Sequence, residues 1–263
     1  MIKKLQLLSR YIQFRIKAGN AYSIHSPFVY SLYTEALRQN RLRKPDEKII
    51  LIEKLANTTF KNNEPYNSAD TGEKSTTGMV QTVGQKAKAI SQSKNGGRLL
   101  HRLTNLIQPR NIIELGTGAG IGTLYMAASC PETEIITIEG NPAMADVARG
   151  VINKSGFSNI SLLEGLFADV LPRALEQIKQ AHMVFIDGDH RSESLIKYYE
   201  TIKPYLHDKS VLVLHDIYWS GDMLNAWKQL ISYPEVYISV DVFHMGLLFF
   251  SKEQAKQHFQ LRV

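Results

Sequence analysis

The sequence predicts an α/β protein: a doubly wound, mostly parallel seven-stranded sheet, Rossmann-like, with an antiparallel hairpin at its C-terminal end and a helical extension before it. From about Arg98 onward, short apolar strands alternate with helical stretches, the pattern of a parallel sheet with right-handed crossovers and helices on both faces. Two late strands, Val236–Val242 and Gly246–Ser251, are joined by so short a connection that they must run antiparallel. Within residues 1–56 the apolar residues recur at helical spacing.

The elements follow in order. Leu5, Leu8, Ile12 and Ile16, three and four residues apart, predict a helix, and residues 1–56 read as helical overall. Ser23–Phe28 breaks that pattern, and Pro27 suits the first turn of the next helix. Residues 57–97 are dense in Asn, Thr, Ser, Gly, Gln and Lys and read as a loop or a lid over a site. The chain therefore divides into an extension (1–97) and an α/β domain (98–263). Within the latter, strands are expected at Asn111–Leu115, Glu134–Glu139, Asn159–Leu163, His182–Asp187 and Ser210–His215, and helices at Pro142–Ser155, Phe167–Lys179 and Ser192–Tyr205.

The 263 residues are 44% apolar, enough for a filled core. The single cysteine, Cys130, excludes an internal disulfide framework and a Cys-based zinc site, and suits a cytoplasmic setting. Lys3, Lys4, Arg10, Arg15 and Lys17 interrupt the N-terminal apolar residues, so neither a secretory signal nor a membrane span is expected. The net charge of +6 is concentrated in residues 1–48, with ten Lys/Arg against three Asp/Glu. Such a segment either attracts an anionic partner (nucleic acid, phospholipid, acidic substrate) or is a solvated helical face.

The strongest motif is Ile112-Ile113-Glu114-Leu115-Gly116-Thr117-Gly118-Ala119-Gly120-Ile121-Gly122, a buried strand running into a glycine-rich turn before a helix. Glycines permit positive φ and close approach of a ligand to the backbone. Glu114 at the strand end would repel a pyrophosphate but suits a ligand bearing an ammonium and a sulfonium, which favours S-adenosylmethionine over NAD. Glu139, 25 residues later at the end of the second strand and followed by Gly140, can accept ribose hydroxyls. Met183–Ile186 then delivers Asp187-Gly188-Asp189-His190 to a strand end, and Val211–Leu214 delivers His215-Asp216 to the next. Asp187 and Asp216 could bind a hard cation such as Mg²⁺, or cap helices and hold loops. His190 could act as a general base, with His215 as an alternative base or a metal ligand.

The run from Glu114 to Gly221 resembles the catechol O-methyltransferase-like branch of class I methyltransferases, and Asp187-Gly-Asp-His190 with His215-Asp216 is similar to the macrocin-type O-methyltransferase group. The whole chain resembles an uncharacterised Bacteroidetes-type bacterial set, through Ile24-His25-Ser26-Pro27-Phe28-Val29, Ile138-Glu139-Gly140-Asn141, Asp216-Ile217-Tyr218-Trp219-Ser220 and Gly246–Phe250. The resemblance implies that Glu114, Gly116, Thr117, Gly118 and Gly120 surround the methionine end of S-adenosylmethionine, and that Glu139 and Gly140 hold the ribose. Phe167 and Ala168 would lie beside the adenine. Asp187 and Asp216 match two metal-ligand positions, and His190 falls where the branch has a catalytic lysine. Ile217 departs from the pattern, which has an amide there, and so puts metal dependence in doubt.

The expected activity is transfer of a methyl group to the hydroxyl of a small-molecule acceptor, with His190 taking the proton and Asp187 and Asp216 arranging substrate or metal. Tyr22, His25, Phe28, Asp70 and Ser75 are candidates for acceptor specificity, and a homodimer is an expected assembly. Two rival readings are a nucleic-acid methyltransferase, prompted by the basic N-terminus, and a cofactor-binding interaction module without catalysis. Against the first, the chain has no D/N-P-P-Y motif and no cysteine placed as a base-attacking nucleophile.

Overall fold

Short apolar runs become strands where both faces can be buried, and that condition holds along the middle of this chain. The computed structural model describes residues 2–38, 46–66 and 81–263. Its strands are β1 (Asn111–Leu115), β2 (Glu134–Glu139), β3 (Ile160–Glu164), β4 (Met183–Ile186), β5 (Val211–His215), β6 (Ile238–Asp241), β7 (Met245–Phe249) and β8 (Gln257–Gln260). They lie in the order β3-β2-β1-β4-β5-β7-β6-β8. The expected doubly wound, mostly parallel sheet with an antiparallel C-terminal part is present, and β8 adds an eighth strand at the edge. The fold divides into two compact units, one of residues 1–38, 111–115 and 171–263, the other of residues 39–110 and 116–170.

In the first unit β4 pairs in parallel with β1 and β5, with Leu115 opposite Ile186 and Ile186 opposite Leu214. β7 runs antiparallel between β5 and β6, and β8 joins the far side of β6. Every residue of β1, β4, β6 and β7 is buried. Helices α9 (Ser192–Ile202) and α10 (Gly221–Ser232) belong to this unit. Asp222 in the first turn of α10 accepts from the Ser192 backbone and hydroxyl at 2.8 and 2.7 Å, tying the start of α9 to that of α10. Trp227 of α10 lies so close to Gly246 that a Cβ there would stand 2.6 Å from the indole.

Helix α1 (Ile2–Lys17) forms as its periodicity predicts, but its apolar stripe is not what packs. Leu5, Leu8, Ile12 and Ile16 are exposed, while Phe14 is buried. Tyr11 meets Phe243, and Phe14 meets both Phe243 and Tyr218, with ring centroids 4.9–5.9 Å apart. Pro27 occupies the first turn of α2 (Pro27–Ser31), behind the Ser26 cap. Among the described residues no helix is long and apolar enough to cross a membrane.

The second unit holds α3 (Glu47–Thr59), α4 (Val83–Ile90), α5 (Lys94–Ile107), α6 (Ile121–Ser129), α7 (Pro142–Ser155), β2 and β3, while α8 (Phe167–Ile178) starts here and continues into the first unit. Helices α4 and α5 replace part of the polar stretch read from sequence as a loop: Thr82 and Gln85 cap each other's backbone at the start of α4, and Ser93 caps α5. Apolar α6 is buried almost all round, against Ile49, Ile52 and Ala87 among others. Gly97 allows its contact with α5, because a Cβ at 97 would stand 2.2 Å from the Tyr125 ring. Arg98 donates to Glu53 Oε1 at 2.6 and 2.9 Å, and Lys94 stands 3.1 Å from the other oxygen. Burial pushes the Glu53 carboxyl up, but these two cations outweigh it and hold the pKa below its ordinary value.

Two outcomes follow. Gly97→Ala is expected to lower the unfolding free energy by about 1–3 kcal/mol, the cost of overpacking, measured by urea denaturation. A carboxyl depressed by folding contributes stability above its unfolded pKa and loses it as pH falls through the folded value. Glu53→Gln should therefore cost roughly 1 kcal/mol near neutral pH, the gap from wild type closing as pH falls below the ordinary carboxylate range.

Candidate active site

The glycine-rich turn opens where β1 ends. Gly116, Gly118 and Gly120 have φ of 101°, 55° and 80°, a left-handed path that side chains resist. Gly116 and Thr117 N–H groups both donate to Ile138 O, at 3.0 and 3.3 Å, and the Thr117 and Thr137 hydroxyls meet at 2.6 Å. Glu139 closes the turn from the end of β2: Oε2 accepts from Gly118 N at 2.8 Å and Oε1 from Asn141 N at 2.9 Å. Burial raises the Glu139 pKa against the pull of these backbone donors, Gly140 and the Lys86 charge. With three backbone donors on about four lone-pair sites, the carboxylate keeps room for a hydroxyl.

Residues of the polar stretch surround this turn. Tyr66 Oη accepts from Asn141 Nδ2 at 2.6 Å, Lys86 Nζ lies 5.5 Å from the Tyr66 ring centroid, and Ile90 lies against Gly118. Gly165 N donates to Glu139 O at 2.9 Å, which sets the start of α8 beside Glu139 and Gly140. There Phe167 is half-buried and Ala168 exposed.

In the other unit, the chemistry gathers at the carboxyl ends of β4 and β5. Asp187 N donates to Leu115 O at 2.8 Å, and Asp216 N to His244 O at 2.7 Å. His215 Nδ1 stands 2.8 Å from Asp187 Oδ1 and 3.6 Å from Asp216 Oδ2. His190 Nε2 stands 3.7 Å from Asp216 Oδ2 and 4.0 Å from Asp187 Oδ1. Both ring nitrogens are shielded from solvent; Asp187 at 2.8 Å serves His215 Nδ1, while His190 Nε2 has no hydrogen-bond partner. Burial lowers the His215 pKa, but Asp187, in close contact, and the Asp216 charge overcome it, and the net shift is upward. Trp219 lies 5.9 Å from His190, ring to ring, on a loop whose carbonyl at Tyr218 accepts from Arg10 of α1 at 3.2 Å.

Asp189 is occupied elsewhere. Its carboxylate accepts from Arg191 at 2.6 and 2.8 Å and from Tyr198 Oη at 3.0 Å, and the Arg191 hydrogen bond leads in drawing its pKa down to about 2. Glu114 is buried in β1 opposite Phe185. Ile217 is wholly buried and offers no ligand atom. Phe28 drops out of the acceptor candidates: its ring packs on Phe249, which pairs with Val211 at the opposite end of β5 from His215. Tyr22 and His25 are exposed, and Asp70 and Ser75 lie outside the described residues. The arrangement also brings in side chains that the motifs did not single out, Tyr66 and Lys86 by the glycine turn. Trp219 was visible only as part of a family pattern, and His215 only as an alternative in an H-D pair.

Residues 113–217 match a family model described as a methyltransferase domain. Over 104 residues the chain is 40% identical to a catechol O-methyltransferase of Niastella koreensis, covering 38% of this chain and 47% of that protein. Over 137 residues it is 28% identical to a catechol O-methyltransferase of Mycobacterium tuberculosis, covering 51% and 60%. The chain thus spans about half the length of the curated relatives it matches. In fold it is similar to the O-methyltransferase TomG of Streptomyces achromogenes, solved with SAM (TM-score 0.56, 19% identity, 85% of this chain and 96% of that one). It is likewise similar to an O-methyltransferase of Bacillus cereus solved with SAH (TM-score 0.55, 16% identity, 82% and 96%). Residues 113–217 are thus similar to a methyltransferase domain, on a fold like that of the solved O-methyltransferases. The two curated relatives above are both named catechol O-methyltransferase.

Proposed function

We propose that the chain is an S-adenosylmethionine-dependent methyltransferase acting on the hydroxyl of a small-molecule acceptor, in a cytoplasmic setting. The observation that carries this reading is the turn Gly116–Gly120 locked onto the Glu139 carboxylate, together with a separate histidine–aspartate group at the ends of β4 and β5. In this reading Glu139 and Gly140 hold the ribose, Phe167 and Ala168 border the adenine, and the glycine turn with Glu114 receives the methionine end.

Methyl transfer is an in-line displacement at a sulfonium carbon. The protein's main task is to hold nucleophile, carbon and sulfur collinear, an effect worth about 7–11 kcal/mol in favourable cases. The acceptor hydroxyl must also lose its proton. His190 Nε2, shielded and without a hydrogen-bond partner, is suited to take it, and Asp187 and Asp216 stabilise the imidazolium that results. His215, held against Asp187, orients that carboxylate.

Calorimetric titration with S-adenosylmethionine and S-adenosylhomocysteine tests the cofactor assignment. Wild type is expected to bind both, and Glu139→Ala to bind at least about tenfold more weakly, since a hydrogen bond to a charged group contributes about 1.5–3 kcal/mol. Absence of binding by wild type would overturn the reading. With an authentic acceptor, His190→Ala should lower kcat by about 10²–10⁴. Unchanged turnover would remove His190 from the chemistry.

A further inference from the structure

Helix α1 leaves its most apolar face in water. Leu5, Leu8, Ile12 and Ile16, three and four residues apart, lie along one side of it and are 59, 53, 50 and 75% exposed. The side that packs is another one, carrying Phe14 and Ala18, both buried. Single exposed aliphatic residues are ordinary on a protein surface, but a continuous stripe marks a contact. Most of the large apolar side chains exposed among the described residues fall between Leu5 and Tyr30, so the surface is local to this end of the chain. We propose that α1 is a docking helix that lays its stripe into the surface of an anionic lipid bilayer.

Charge selects the occupant. The α1 sequence holds Lys3, Lys4, Arg10, Arg15 and Lys17 and no acidic residue. Arg10 is committed to the Tyr218 carbonyl, while Arg15 and Lys17, which flank Ile16 in sequence, are exposed. A second copy docked stripe to stripe would set two such helices together, cation facing cation, with no acid on either helix to answer the charge. Nucleic acid would answer the cations but has no use for four exposed aliphatic side chains. An anionic bilayer answers both: its headgroups attract the cations, and the acyl boundary takes up the aliphatic chains.

The dimensions fit a helix lying in the interface. Sixteen residues make a helix about 24 Å long, short of a hydrocarbon core of roughly 30 Å, and its cations interrupt any apolar span. Aromatic rings with a polar tip favour headgroup depth, and Tyr22, just beyond the end of α1, is 94% exposed. The opposite side of the helix is anchored to the protein by the Phe14 contacts with Phe243 and Tyr218, so docking needs no unpacking of the fold.

Flotation of the full chain with vesicles of phosphatidylglycerol and phosphatidylethanolamine tests the surface, with vesicles of phosphatidylcholine alone as the neutral counterpart. Wild type should float with the anionic vesicles, stay behind with the neutral ones, and lose binding as salt is raised. Leu8→Gln/Ile12→Gln should bind the anionic vesicles at least about tenfold more weakly, because these chains leave water only on the lipid. Arg15→Gln/Lys17→Gln should weaken binding by about tenfold. All four positions are exposed, so both variants should melt as wild type does. Failure of wild type to float, equal recovery on neutral vesicles, or undiminished flotation of the Leu8/Ile12 variant overturns the proposal. So does a wild-type dimer in size-exclusion chromatography that the Leu8/Ile12 variant turns into a monomer, since the stripe would then be a subunit interface. Tight binding of a fluorescent RNA oligonucleotide, lost in the Arg15/Lys17 variant and kept in the Leu8/Ile12 variant, would reassign the surface to nucleic acid and overturn it equally.

Discussion

The parallel register of β4 and β5 is the constraint on which the histidine–aspartate cluster depends. Because Ile186 stands opposite Leu214, the next residues along each strand, Asp187 and His215, come out side by side. The side-chain period of a strand is two, so a slip by one residue would turn His215 to the other face and separate it from Asp187. The register is fixed by burial on both faces: Met183–Ile186 and Val211–Leu214 are entirely buried, and any slip would move the polar residues at their ends into the sheet. β7 continues the lock, with Met245 opposite His215 and the His244 carbonyl accepting from Asp216 N.

The cluster also holds strained backbone. Asp189 and Asp216 adopt φ of 49° and 55°, a conformation that costs a non-glycine residue roughly 1–2 kcal/mol. Each is retained by specific bonds. Asp189 is clamped by Arg191 and Tyr198, and its turn leads directly into α9, whose start is held by Asp222. Asp216 is clamped through its own N–H, and the loop after it is fixed by Arg10 and by Tyr218, whose hydroxyl donates to Asp241 at 2.7 Å. Strain distributed this way turns two strand ends sharply enough to bring His190 back toward Asp187 and Asp216 without lengthening either loop.

Much of this was legible in the sequence, for a physical reason. Strands buried on both faces read as unbroken apolar runs, and all seven expected strands lie within a few residues of their observed positions, as do α7, α8 and α9. Edge strand β8 did not show, because Gln257-His258-Phe259-Gln260 is mostly polar and its pairing with β6 is long-range. Helices α4 and α5 were hidden by composition: glycines at 84, 96 and 97 imitate a loop, yet Gly84 and Gly97 serve close packing against neighbouring backbone and the Tyr125 ring. In α1 the periodicity identified the helix but not its packed side, since tertiary aromatic contacts through Tyr11 and Phe14 override the longer aliphatic stripe.

The two halves of the chemistry are built by different means, and this explains why one was easier to read. Around Glu139 the turn is organised by backbone: three glycines at positive φ and main-chain N–H groups on a carboxylate. Such a device needs particular residues at fixed spacing, so it leaves a motif. The Asp187 cluster is organised by side chains brought together from distant segments, and its membership depends on rotamers and register. Asp189, nearest in sequence to His190, is turned away to Arg191, whereas His215, 25 residues beyond His190, faces Asp187 at 2.8 Å. A sequence can place four polar residues at two strand ends, but only the register and the clamped turns decide which of them share one point in space.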